Sequence, residues 1–174
     1  MAGVIIPNTY VRDVDKLVFL AGPIRGAPNW QDEAIRILSS KKPELTIATP
    51  RRGIREFFAG SVLSGDNTYF KRQRLWERHY LEVASKRGAI LFWLPGEAEH
   101  NCAKSYGAMT RLELGQWMTN YRHDNQVRFC VGSNGKFSEL DIIRMDLALD
   151  APDKRILGTL EETCDKALRL YNLA

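Results

Sequence analysis

The sequence predicts an α/β fold in which an open parallel sheet carries helices on both faces. Short, continuous apolar runs alternate along the chain with longer segments of helical spacing. These runs lack the polar alternation of a half-exposed strand, which favours strands buried on both faces. Because parallel neighbours need crossover connections, the repeated order of strand then helix indicates a parallel sheet. At 174 residues the chain fits a single domain over 1–174.

The first part of the chain supplies two predicted strands and a helix. The apolar run 16–22 ends in Gly-Pro and predicts the first strand. A helix is expected over 30–39, where apolar residues follow helical spacing. The run 45–48 predicts the second strand. Residues 53–67 have no sustained period and predict a long loop of the kind that often forms a lid.

The rest of the chain continues the alternation. Residues 89–94 form the clearest buried strand, since they are apolar throughout and end in Pro-Gly. The other expected elements are helices over 69–87, 110–121, 138–149 and 159–173 and strands over 126–132 and 154–157.

Composition limits the classes of protein to which the chain can belong. The chain is 44% hydrophobic and 26% charged, and no apolar run approaches the ~20 residues that cross a bilayer. The first 15 residues lack a secretory signal pattern, which predicts a cytoplasmic location. Three widely spaced cysteines fit neither a disulfide framework nor a CxxC metal site, so we expect reduced thiols and no metal. The net charge of +4 permits phosphorylated partners but identifies no site.

Functional groups are expected where the strands end, because ligands of open parallel sheets bind outside the carboxyl ends of the strands. The first exit, 22–26, has glycines that permit close backbone approach and Arg25, which can bind an anionic oxygen. A tight structural turn is the competing interpretation. The segment matches neither GxGxxG nor the GxxxxGK[ST] phosphate loop, so a dinucleotide cofactor or an ATPase has little support.

Glu113 has two interpretations at the start of the helix after the third predicted strand. Thr110 and Glu113 have the Thr-x-x-Glu spacing of a capping box, which would make both residues structural. Glu113 could equally face the cleft at the strand exits. Gly115 disfavours a helix interior by about 1 kcal/mol relative to alanine, which indicates close packing or ligand approach at this position.

Five segments of the chain carry a family resemblance. They are 18–26 (VFLAGPIRG), 49–52 (TPRR), 75–77 (LWE), 90–95 (ILFWLP) and 110–115 (TRLELG). In this order they resemble the nucleoside 2-deoxyribosyltransferase-like superfamily over 16–132. The resemblance implies a flavodoxin-like five-stranded sheet of order 2-1-3-4-5. It also implies that Glu113 is a catalytic nucleophile.

The implied reaction is cleavage of the N-glycosidic bond of a nucleoside or nucleotide. A carboxylate attacks the anomeric carbon and forms a glycosyl-enzyme, which then reacts with water in a hydrolase or with another base in a transferase. The leaving base needs an acid, for which Glu77 and His79 are the candidates. Two positions apart on a helix, they point in different directions, and Glu77 is the predicted acid. A surface salt bridge with Arg74 or Arg78 is its competing role.

Substrate contacts follow from the same resemblance. The loop 22–26 is similar to that of deoxynucleoside monophosphate glycosidases, which implies binding of a 5'-phosphate by Arg25 together with Arg51 or Arg52. Surface exposure is the alternative for those two arginines, and core packing is the alternative to base stacking for the tryptophans. The predicted substrate-binding residues are Gly22, Pro23, Ile24, Arg25, Trp30, Pro50, Arg51, Arg52, His79, Trp93 and Thr110.

The sequence departs from the family where relatives often carry aspartates, since it has His79 and the run 86–88 (KRG) there. Recognition of the sugar hydroxyls and base is therefore expected to differ.

Other function classes stay open. The same cleft could bind a nucleotide without turnover, or 110–115 could belong to an interaction domain. A lysine-decarboxylase-like nucleotide phosphoribohydrolase is less favoured, because only the end of its Pro-Gly-Gly-x-Gly-Thr-x-x-Glu pattern is present. The leading prediction is an enzyme that needs no cofactor and binds a small nucleoside or nucleotide. It is expected to form a homo-oligomer and to bind neither membranes nor a nucleic-acid polymer.

Overall fold

The computed structural model describes residues 3–11, 14–51 and 67–174. Within them, the strands are β1 (Gly3–Ile5), β2 (Val18–Ala21), β3 (Thr46–Ala48), β4 (Ala89–Leu94), β5 (Phe129–Ser133) and β6 (Ile156–Leu157). The helices are α1 (Trp30–Lys41), α2 (Asn67–Arg87), α3 (Ala108–His123), α4 (Leu140–Asp150) and α5 (Leu160–Asn172).

The strands form one parallel sheet of order β1-β3-β2-β4-β5-β6. Its last five members are the five predicted strands in the predicted order 2-1-3-4-5, so the flavodoxin-like fold is confirmed. The predicted strand count is wrong, because β1 adds a sixth strand beside β3. This edge strand has three residues, of which only Ile5 is buried, and so lacks the continuous apolar run that marks the inner strands.

Helices cover both faces of the sheet, as predicted. Alternate residues of a strand point to opposite faces. Phe19 of β2 and Phe92 of β4 therefore join a core with α2, α3 and α4. Leu20 and Leu91 join a second core with α1 and α5. All six residues of β4 are buried, which explains why this strand is the clearest in the sequence.

The start of α3 corrects one prediction. The helix begins at Ala108 after Gly107, which is the N-cap in a left-handed conformation and makes no side-chain cap. Thr110 is already the third helical residue and is buried, so the capping-box interpretation, one of the two left open for Thr110 and Glu113, is wrong. A complete capping box occurs instead between Thr159 and Glu162 at the start of α5. The correction removes the structural cap as an explanation of Glu113.

The other helices lie within a few residues of their predicted limits. The predicted loop 53–67 lies outside the described residues except for Asn67, which begins α2. Among the residues that the structure describes, no helix has both the length and the apolar character of a membrane span.

Candidate active site

The loops after β2 and β4 meet at the edge of the sheet where the strands end. The Gly26 carbonyl accepts hydrogen bonds from the Ala98 amide at 2.7 Å and from the Glu99 amide at 3.1 Å. These bonds connect the first strand exit with the long loop that precedes α3. Such an edge is the usual ligand position of an open parallel sheet.

The Pro23 carbonyl holds the same loop against α1. It accepts hydrogen bonds from Trp30 Nε1 at 2.9 Å and from Gln31 Nε2 at 3.3 Å. Gln31 is fully buried, and its Oε1 also accepts from Arg51 Nη1 at 3.4 Å. The predicted ligand loops 22–26 and 49–52 are thus connected through one buried amide, while Arg25 remains exposed.

Two glycines permit this close packing. A Cβ on Gly22 would lie 2.4 Å from the Trp93 carbonyl and 2.7 Å from the Trp30 ring. Gly26 has φ +73°, and a Cβ there would lie 2.7 Å from the Glu99 carbonyl. At either position, the backbone would have to move before any residue other than glycine could fit.

Gly26→Ala should therefore lower stability by about 2–3 kcal/mol, from left-handed strain plus the clash with the backbone. Gly135→Ala is the matched control, because Gly135 has φ +79° but open space around a new Cβ. It should cost only about 1 kcal/mol. Chemical denaturation of both variants measures the difference. Equal losses would show that the contact with Glu99 carries no constraint.

Glu77 and Glu113 converge on one arginine, and we call these three residues the carboxylate–arginine cluster. Arg74 Nη1 donates to Glu113 Oε1 and, at 3.0 Å, to Glu77 Oε2. Gln73 Nε2 donates to the other Glu77 oxygen at 3.1 Å. Glu113 is only 9% exposed although it carries an ionisable group. The cluster joins α2 to α3 across 39 residues of sequence.

Burial dominates the electrostatics of Glu113. Desolvation raises the pKa of the Glu113 carboxyl, the hydrogen bond and charge of Arg74 lower it, and the charge of Glu77 raises it again. The pKa remains above the ordinary value. A carboxylate with a raised pKa is a stronger base and a better nucleophile than an exposed one, provided that the pH keeps it ionised.

Arg111 holds the first turn of α3 in place. Its guanidinium donates to the Tyr106 carbonyl and, at 3.0 and 2.6 Å, to the carbonyl and hydroxyl of Ser138. It also lies 4.5 Å from the centre of the Phe137 ring. These contacts tie the first turn of α3 to the loop before it and to the loop before α4.

The structure separates the two candidate acids. Glu77 joins the carboxylate–arginine cluster, whereas His79 packs against Tyr80 and Tyr10, with ring centres 4.8 and 5.9 Å away. Thr110 lies buried on α3, one turn before Glu113. Only Glu77 of the two candidates therefore contacts a residue that also binds Glu113.

The predicted tryptophans are both core residues in the structure. Trp30 is 4% exposed and Trp93 is 6% exposed, and both belong to the core beneath α1 and α5. This matches the core-packing alternative, and their rings support the loop at Gly22. Pro50 and Arg51 are half-buried, and Arg52 lies outside the described residues.

Sequence reasoning did not identify Gln31, Gln73 or Arg111 as site residues, nor did it pair Arg74 with Glu113. The i,i+3 spacing of Arg74 and Glu77 is the one signal that points to part of this arrangement.

The chain matches no known family model, no curated protein and no solved structure. In the described ranges, no group of three or more His, Cys, Asp or Glu side chains could hold a metal ion. Cys130 and Cys164 are buried and Cys102 is exposed, each as a free thiol.

Proposed function

We propose that the protein cleaves or transfers the N-glycosidic bond of a nucleoside, deoxynucleoside or nucleoside monophosphate through a covalent glycosyl-Glu113 intermediate. The observation that carries the proposal is the buried Glu113 carboxylate, which accepts a hydrogen bond from Arg74. Glu113 lies in the second turn of α3, the helix that follows the exit of β4, and ligands of open parallel sheets bind outside such exits. The resemblance of five segments to nucleoside 2-deoxyribosyltransferases agrees with this assignment, although no comparison identifies the family.

In the first step, a Glu113 oxygen attacks the anomeric carbon through an oxocarbenium-like transition state. The carbon–nitrogen bond breaks, its electron pair goes to the base nitrogen, and the base gains a proton. In the second step, water or the nitrogen of another base attacks the same carbon and releases the Glu113 carboxylate. The proton of the attacking group passes to a general base.

Arg74 supports the nucleophile in this proposal. Its hydrogen bond and positive charge lower the pKa of the buried Glu113 carboxyl and so offset part of the rise that desolvation causes. Glu77 and Glu113 share one guanidinium nitrogen, so their carboxyl groups lie close together, as in retaining glycosidases, where the separation is roughly 5 Å. Such proximity favours direct attack by a carboxylate over attack by an interposed water.

Glu77 is the proposed acid because it shares the Arg74 guanidinium with Glu113. Both of its oxygens accept hydrogen bonds, from Gln73 and from Arg74, so it must first take up a proton to protonate a leaving base. The Arg25 side chain and the loop 22–26 are the proposed phosphate contact, with Arg51 beside them. The proposal includes a cytoplasmic location and a homo-oligomeric state.

A second candidate function is nucleotide binding without turnover. The ion pairs of Arg74 with Glu77 and Glu113 favour this function, because a purely structural role in joining α2 to α3 would also explain them. In that case the cleft would bind nucleotides, while Glu113 would contribute to stability and not to chemistry.

Incubation of the protein with a panel of ribo- and deoxyribonucleosides and their monophosphates tests the proposal. Each substrate is supplied with and without an acceptor base, and chromatography follows free base and exchanged nucleoside. Release of base from at least one member is the expected result. Binding of a panel member without release would support the second candidate, and neither binding nor release would contradict both.

A further inference from the structure

Helix α4 is apolar on two opposite faces. Leu140, Ile143 and Leu147 are buried against the sheet. On the outer side, Ile142, Met145 and Leu149 are 54%, 63% and 76% exposed. Contiguous exposed apolar side chains mark interaction sites in many proteins. Within the described residues, the inner apolar side of α4 is buried and its outer apolar side is exposed to solvent.

Helix α3 continues this outer apolar surface. Met109 and Leu112 of α3 are 53% and 60% exposed. Between the helices lies a cavity of about 140 Å³ that is open to solvent. Its apolar lining comes from both helices: Leu114, Gly115, Met118, Ile142 and Ile143. We call the exposed side chains and this groove the α3–α4 face.

Gly115 lines the groove at a place where the described part of the chain leaves open space. A Cβ at this position would meet nothing within 4 Å. Glycine is nevertheless among the least favourable residues for a helix interior. A second backbone or bulky side chain that approaches α3 here would explain its presence.

The size of the surface suits association. Five large apolar side chains that are each at least half exposed present roughly 500 Å², near the upper limit for the largest patch of a typical monomer. With a polar rim, such a patch approaches the ~800 Å² that each partner contributes to a standard interface.

The charges of the two helices complement each other. Helix α4 carries three aspartates and one arginine, whereas α3 carries Arg111, Arg122 and His123 and one acidic residue, Glu113. Within the chain, Arg122 already binds Asp150 of α4 at 3.4 Å. A two-fold axis would place α3 of each copy against α4 of the other, so that the basic helix meets the acidic helix twice.

We infer that the α3–α4 face is the interface of a symmetric homodimer, in which the outer apolar residues of α4 enter the groove along Gly115 of the second copy. The inference does not depend on the chemistry of Glu113, because it rests on exposed apolar side chains of α3 and α4 and on the groove between them. It names the surface through which the expected homo-oligomer forms.

Sedimentation or light scattering of the full chain across a concentration series tests the interface. The wild type should have twice the 19.8 kDa chain mass. The double variant Met145→Glu/Leu149→Glu should be monomeric, because two charges in an apolar interface should weaken association of the two copies at least ~30-fold. Leu173→Glu, at a 75% exposed position outside this face, is the matched control and should remain dimeric.

Gly115→Gln keeps the test valid if the double variant fails to fold. The position has room for a side chain in the isolated chain, so this variant should fold as well as the wild type or better. Its dimer should nevertheless dissociate about 10-fold more readily, because the new side chain fills the groove. A monomeric wild type, or folded variants at both sites that dimerise like the wild type, would overturn the inference.

Discussion

Glu113→Gln should lower the rate of base release at least ~10³-fold, since an amide cannot attack the anomeric carbon and the covalent route is lost. The shape of the side chain is kept, and its oxygen can still accept from Arg74. The free energy of unfolding should therefore change by only about 1 kcal/mol. Rate measurements on the preferred substrate and chemical denaturation of the same samples check both expectations.

Glu33→Gln is the matched control. Glu33 also binds an arginine, Arg36, but the pair is exposed on α1. The rate of this variant should equal that of the wild type. Turnover that survives in Glu113→Gln at the level of the control would contradict the nucleophile assignment.

Arg74→Met should lower the free energy of unfolding by breaking the carboxylate–arginine cluster. It removes the partner of two carboxylates and leaves Glu113 charged and buried beside Glu77. Breaking a fully buried pair costs roughly 3–5 kcal/mol, and the Arg74 side chain is 30% exposed, so we expect a smaller loss of about 1–3 kcal/mol near neutral pH. Chemical denaturation measures it, and Arg36→Met on the exposed pair should change little.

The loss should depend on pH in a defined direction. Burial raises the folded-state pKa of Glu113, and without Arg74 only the raising influences remain. When the pKa of a carboxyl is higher in the folded state than in the unfolded state, its contribution to stability is fully present below the unfolded-state pKa. This contribution is lost as the pH rises through the folded-state pKa. The Arg74→Met loss should thus be small in acid and largest at neutral pH.

A double variant separates this explanation from general damage to α2. In Arg74→Met/Glu113→Gln no buried carboxylate is left at position 113, so most of the loss should be recovered. If the double variant lost the sum of the two single-variant losses, or if the Arg74→Met loss did not change with pH, Arg74 would act through packing alone.

The parallel sheet could be predicted from the sequence because its inner strands are buried on both faces. The run 89–94 is apolar throughout and corresponds to β4 residue for residue. β1 could not be predicted in this way, because an edge strand of three residues has one buried side chain and leaves almost no pattern.

Local spacing misled the interpretation of Thr110 and Glu113. The pattern Thr-x-x-Glu fits a capping box, but the chain already turns into the helix at Gly107. Which residue caps a helix depends on the path of the preceding loop, and Arg111 anchors that loop through Tyr106. A four-residue pattern contains none of this information.

The contact between Glu113 and Arg74 could not be predicted from the sequence for a related reason. Arg74 is 39 residues away, and only the packing of α2 beside α3 brings the two side chains together. The separation of Glu77 from His79 could be predicted, because residues two positions apart on a helix point in different directions. Contacts within one helix are readable from spacing, whereas contacts between helices require the fold.

Mass spectrometry of a trapped intermediate can identify the residue that attacks the anomeric carbon. A slowly turned-over 2-fluoro-2-deoxynucleoside, whose fluorine destabilises the oxocarbenium-like transition state, is mixed with the protein and quenched in acid. The account predicts that the protein gains the mass of one dehydrated fluoropentose, and that fragmentation places it on Glu113. Base release from this substrate without an adduct, or an adduct on another residue, would contradict the account.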